Sequence, residues 1–91
     1  MTLLLVAYDV SDNRRRARLH ALLSGYGQPV QESVFECELD DARRRSLQRA
    51  LKRTVRPGDR VRLYPLCAAC AARVIDASGT ERPPAPEVYL D

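Results

Sequence analysis

Nowhere in the chain does an apolar run reach the roughly 18 residues that a membrane-spanning helix needs, so a membrane span is excluded. No basic stretch precedes the apolar N-terminus Met1-Thr2-Leu3, and an aspartate follows soon after, which is unlike a secretory signal; a cytoplasmic protein is expected. Cysteine is scarce, with 3 residues, and an odd number with two of them in a Cys-x-x-Cys fits reduced thiols better than a disulfide framework. Histidine occurs once, at His20, and reads as a helix-surface residue rather than a general base. With 91 residues there is no room for a second domain, although one modest core is within reach, since such a chain buries roughly two-thirds of its unfolded surface. At 45% hydrophobic residues the chain should fold despite its 6 prolines.

Charge is present but unevenly placed. The formal net charge is only +3, yet Arg14, Arg15, Arg16 and Arg18 form one cluster and Arg43, Arg44, Arg45, Arg49, Lys52 and Arg53 another. Basic residues gathered on particular elements are the footprint of a polyanion, nucleic acid being the commonest; the alternative is a pair of solvated helix faces.

The apolar pattern supplies the elements. Thr2 to Val10 is nearly continuously apolar, as expected for a central strand. From Asn13 to Tyr26 the residues Leu19, Leu22, Leu23 and Tyr26 recur at helical spacing, with Gly25 and Gly27 as stop signals. Pro29 to Leu39 alternates, with Phe35, Cys37 and Leu39 on one face and Glu32, Val34, Glu36 and Glu38 on the other, so a half-buried strand is expected. Asp40 or Asp41 then caps a second helix that carries Leu47, Ala50, Leu51 and Val55 on one side and Arg45, Gln48, Arg49 and Lys52 on the other, ending before Pro57-Gly58. Asp59 to Leu66 reads as a third strand and Ala72 to Ser78 as a fourth, joined by Cys67-Ala-Ala-Cys70.

If Pro29–Leu39 bends or divides into two strands, the order matches a ferredoxin-like α+β fold, βαββαβ, over residues 1–80. Such a sheet leaves one face uncovered. With Phe35 and its neighbours lining that face, a homodimer would bury it. Residues 81–91 form a Pro-rich arm ending in the apolar Val88-Tyr89-Leu90, read either as an additional C-terminal strand donated to a sheet edge, in the dimer partner for example, or as a frayed end.

The chemistry concentrates where the first strand ends. Asp9 stands there after Tyr8, with Asp12 and Asn13 in the connection to the first helix. Mg²⁺ keeps several waters and takes one or two carboxylates, so one Asp9 per chain suffices if a two-fold axis brings a second copy close; equally, Asp9, Asp12 or Asn13 could cap the helix. Arg14 and Arg18 point away from the apolar stripe, while Arg15 and Arg16 lie over its extension near Asp9. Four arginines at a helix end that is already partly positive invite an anion. Cys67 and Cys70 read as small packing residues, since a zinc site needs four ligands and Cys37 and His20 are far away in sequence.

Taken together, the segments VAYDVSDNRRRARL, GYGQPVQESVFECEL and VRLYPLC strongly resemble the CRISPR-associated Cas two family, the small endoribonuclease-type subunit of the spacer-acquisition machinery. The resemblance spans nearly the whole chain. It implies a ferredoxin-like homodimer, C-terminal strands that often join the partner's sheet, and a place between integrase dimers where incoming duplex DNA is held. It also implies metal-dependent cleavage of RNA or duplex DNA in some members, which makes single-stranded RNA a second nucleic-acid partner. By position Asp9 is the catalytic and Mg²⁺-binding carboxylate, with Tyr8, Ser11 and Phe35 as supporting candidates. Arg14, Arg15, Arg16 and Arg18, and then Arg45, Arg49 and Lys52, would hold phosphates. Pro29 stands where the family commonly has a basic residue and removes one backbone donor.

Distinct functions follow. One is an Mg²⁺-dependent phosphodiesterase centred on Asp9, another a structural DNA-binding subunit without cleavage, and a third a toxin-like ribonuclease unconnected with CRISPR.

Overall fold

The computed structural model describes residues 1–78. The elements run β1 (Thr2–Asp9), α1 (Asn13–Ser24), β2 (Gln28–Gln31), β3 (Val34–Leu39), α2 (Asp41–Thr54), β4 (Arg60–Leu66) and the single turn α3 (Ala68–Ala71). The sheet has the order β2-β3-β1-β4 with every pairing antiparallel. This is the ferredoxin-like βαββαβ arrangement. The segment Pro29–Leu39 does divide: β2 and β3 form a hairpin with a register shift between Pro29 and Gln31, turned at Ser33, which adopts a positive φ of 63°.

β1 sits in the middle because both of its faces are apolar. Leu4, Val6 and Tyr8 point into the core with Phe35, Cys37 and Leu39 of β3, and the helices close that core with Leu19 and Leu23 from α1 and Leu47 and Leu51 from α2. Burying each of these leucines contributes about 2 kcal/mol. Both helices therefore cover one face of the sheet.

The helix ends are set by local chemistry. Asp12 caps α1 by accepting from the Arg15 amide at 2.8 Å, and Asp40 caps α2 by accepting from the Arg43 amide at 2.8 Å. α1 stops at Ser24, two residues short of the expected Tyr26. The amides of Gly25, Tyr26 and Gly27 then close onto the carbonyls of Leu22 and Leu23, which turns the Tyr26 ring inward. Gly27 has no alternative: a Cβ there would lie 2.2 Å from the Glu36 carbonyl oxygen and 2.7 Å from the Cys37 Cα. Gly58, with φ +93°, makes the turn into β4.

Two expectations are corrected. Ala72–Ser78 is not a strand: after α3 the chain runs through a turn and irregular backbone, with Val74 46% and Ile75 85% exposed. The two apolar residues are consecutive, so an extended chain would point them to opposite faces, and among the described residues no strand edge pairs with them. Phe35 does not line the open face of the sheet; it is buried beneath the helices, and Val34, Glu36 and Glu38 occupy the other face of β3. Residues 79–91, which include the arm expected at 81–91, lie outside the described residues.

Candidate nucleic-acid interface and metal-binding carboxylate

Alternation along β1 sends Asp9 to the open face of the sheet, together with Leu3, Leu5 and Ala7. Tyr8 points the other way. It lies in the core beside Phe35, ring centroids 6.4 Å apart, so neither aromatic neighbours the Asp9 carboxylate. Burial pushes the Tyr8 phenol above its ordinary range, against the opposing influence of Arg16. Tyr8 and Phe35 instead floor a groove of about 650 Å³ whose wall includes Asn13, Arg16, His20 and Glu32. There the exposed His20 ring meets Phe35 edge-on at 5.2 Å.

On the open face, register places Arg60 opposite Asp9, and Arg62 and Val34 opposite Ala7. Among the described residues the Asp9 carboxylate has no hydrogen-bond or ion-pair partner. Arg62 stacks its guanidinium over Tyr64 at 5.2 Å, and that ring is 39% exposed. The face thus carries an apolar strip along β1, the acids Glu36 and Glu38 on β3 and the bases Arg60 and Arg62 on β4. Arg60 and Arg62 were not singled out above, although the alternation in RVRLY puts both on one side of their strand.

The structure sorts the remaining arginines by what already holds them. Arg15 is clamped on Asp59, with Nε donating to Oδ2 at 2.7 Å and Nη2 to Oδ1 at 2.9 Å. Arg16 donates to the carbonyls of Val10 at 2.9 Å and Ser11 at 3.5 Å and to the Asn13 side chain, which pins the β1–α1 connection. Arg43 lies over the Tyr26 ring at 4.7 Å and donates to the Gly25 carbonyl. Arg44 reaches Asp41 at 3.5 Å. By contrast Arg14 and Arg18 on α1, and Arg45, Arg49 and Lys52 on α2, are exposed, and among the described residues their side chains have no partner. The α2 trio, with Gln48, rims a groove of about 520 Å³ whose floor is Leu51, Val55, Val61 and Leu63 beside the edge strand β4.

At the start of α1 the Asp12 carboxylate already accepts from the amide that a phosphate would otherwise use. Free positive charge therefore sits on exposed helix side chains, Arg14 in the first turn among them, rather than on the amides of that helix end. Among the described residues no three His, Cys, Asp or Glu side chains gather as a metal site. The donor set one chain offers at the end of β1 is the single free carboxylate of Asp9, which fits a hydrated Mg²⁺ shared between two copies and does not fit a site within one chain.

Cys67 and Cys70 are exposed, which corrects the packing role expected for them, whereas Cys37 is buried, with its thiol pushed up to about 12 by desolvation.

The family model for CRISPR associated protein Cas2 matches residues 1–74. The chain belongs to the Cas2 family. A CRISPR-associated endoribonuclease Cas2 of Chloroflexus aurantiacus is 42% identical over 90 residues, covering 94% of this chain and 96% of that protein. The Streptococcus pyogenes Cas2 structure at pH 6.5 superposes with a TM-score of 0.68 at 35% identity, over 81% of this chain and 96% of that one. A chain from a partial Cas6-RT-Cas1–Cas2 complex gives a TM-score of 0.75 at 30% identity, over 87% and 93% of the two chains. Membership in the Cas2 family and likeness to a chain solved in a Cas1–Cas2 complex support a role in CRISPR adaptation. Among the described residues no helix is long and apolar enough to cross a membrane.

Proposed function

We propose that this protein is the homodimeric, duplex-DNA-binding subunit of a CRISPR adaptation complex, seated against an integrase of the Cas1 kind. The observation that carries the reading is the set of free cations, Arg14, Arg18, Arg45, Arg49 and Lys52, on the outer faces of two helices that share one side of the sheet. Arginine and lysine side chains free of protein carboxylates contact phosphates without reading bases, and each contact releases counterions. The dimer forms through the open sheet face, where the half-buried Leu5 and Ala7 are flanked by acids on one side and bases on the other. A two-fold axis running along β1 would lay the β3 side of one copy against the β4 side of its partner.

The free carboxylate of Asp9 favours a second activity at the same face. The Asp9 carboxylates of two copies are the groups that would hold Mg²⁺, which when bound would supply activation of water and stabilisation of charge developing on a phosphate. The strand-end backbone fixes Asp9. RNA and duplex DNA are the candidate substrates.

The test is incubation of end-labelled RNA and duplex DNA with the purified protein, with Mg²⁺ or EDTA, beside Asp9→Asn. Products that need metal and vanish in the variant establish the nuclease. If neither protein cuts while both shift duplex DNA, the protein is a binding subunit only. Failure to shift duplex DNA at low salt would sink the proposal.

A further inference from the structure

Neither the phosphate-binding surface nor Asp9 uses Cys67-Ala-Ala-Cys70. Cys67 has extended backbone (φ −68°, ψ 166°) immediately before the single turn Ala68–Ala71, and Cys70 is the third residue of that turn. Side chains at these two positions reach toward each other, as they do in a capping box. Both thiols are exposed, and only two alanines separate them. The third cysteine, Cys37, is sealed in the core and takes no part.

We propose that Cys67 and Cys70 form a reversible dithiol–disulfide couple, a site of thiol–disulfide exchange whose reactant is a small disulfide of the glutathione class. The two thiols are unequal. The Cys70 amide, followed by the Cys70 thiol, holds Cys67 below the ordinary thiol range, although no full cap hydrogen bond closes on it. Cys70 is held above that range by its contact with the Cys67 thiol and by the charge there. Cys67, at the N-cap position facing the free amides of the turn, is assigned as the attacking thiolate and Cys70, inside the turn, as the resolving thiol.

In the first step the Cys67 thiolate bonds to one sulfur of R–S–S–R, the S–S bond breaks, and RS⁻ leaves and takes up the proton that Cys67 had lost. Cys67 is then uncharged, which removes the electrostatic hold on Cys70. In the second step Cys70, losing its proton, attacks the Cys67 sulfur, and the second RS⁻ leaves with that proton. Two protein thiols are oxidised to one disulfide, and one small disulfide is reduced to two thiols.

A structural zinc site is the weaker reading, because it needs four ligands and among the described residues no third ligand stands near the pair. Closure ties the turn that follows β4, where α3 lies against β1 and β4.

The experiment equilibrates the full chain with mixtures of reduced and oxidised glutathione, blocks remaining thiols with N-ethylmaleimide, and weighs the intact protein. Wild type should lose both exposed blockable thiols together and become lighter by two hydrogens, with no glutathione retained. With excess oxidised glutathione and quenching at early times, Cys70→Ser should gain one glutathione several-fold faster than Cys67→Ser. Stable glutathione on both cysteines of wild type, or equal initial rates for the two variants, would overturn the proposal. So would zinc bound at one ion per two chains that shields both thiols of the reduced protein.

Discussion

Arg15 and Asp59, 44 residues apart in sequence, are joined by two parallel hydrogen bonds of 2.7 and 2.9 Å, and Asp59 also accepts from the Arg56 amide at 2.9 Å. The pair ties the first turn of α1 to the turn that starts β4. It therefore fixes the angle at which the Asp9-bearing end of the sheet meets the helical layer.

Stability should depend on pH through this pair. The Arg15 side chain, followed by the Arg56 amide, holds the Asp59 carboxyl below its ordinary value of 3.8. A depressed carboxyl contributes stability that is present above the unfolded-state pKa and lost as pH falls through the folded one. Melting temperature should be insensitive to this group from pH 7 to about 5 and should fall below about pH 4. In Asp59→Asn the melting temperature should be several degrees lower at pH 7, and its acid slope should be shallower than that of wild type. An unchanged acid slope would contradict the assignment.

Gly27→Ala should be severe. The new methyl meets backbone atoms on β3 that have no rotamer to escape into, so a loss of about 3 kcal/mol or misfolding is expected, read by urea denaturation. A loss under about 0.5 kcal/mol would mean that the α1–β2 connection is looser than described.

Tyr26 joins the helices through its hydroxyl, 2.8 Å from Ser46 Oγ, while its ring carries Arg43. Tyr26→Phe keeps the ring and removes the hydroxyl, so about 1 kcal/mol should be lost. Ser46→Ala combined with it should cost less than the sum of the two, which a double-mutant cycle would show.

Nucleic-acid affinity should follow the free cations rather than all the arginines. Replacing Arg45, Arg49 and Lys52 by alanine should weaken binding to all duplex sequences alike and lower the salt slope by about 2–3. Arg15→Ala should change melting temperature more than affinity. Sequence-dependent losses in the triple variant would contradict a phosphate interface.

Much of this was legible in the residues. Apolar continuity over Thr2–Val10 and the helical spacing of Leu19, Leu23, Leu47 and Leu51 located the sheet centre and both helices, because burial dictates those patterns. The alternation of Phe35, Cys37 and Leu39 told which side chains share a face but not which face the helices cover; that depends on where α1 and α2 land. Val74-Ile75 carried strand propensity but pairs with no strand among the described residues, and pairing is a property of the whole sheet. The arginine clusters showed charge, whereas the commitment of Arg15 to Asp59 is a tertiary contact that no local spacing encodes. Asp9 was conspicuous as the carboxylate ending an apolar strand, and the neighbouring Arg60 and Arg62 emerge only from the β1–β4 register.

The two long helices, α1 and α2, cover the same face of the sheet, which among the described residues gives the chain two different surfaces set back to back. In the proposed assembly a duplex lying along the helical layer and a second copy covering the open sheet face would occupy opposite sides of a single sheet, so neither would occlude the other. The central strand β1 joins them directly, holding Val6 among the helices and presenting Asp9 on the far side.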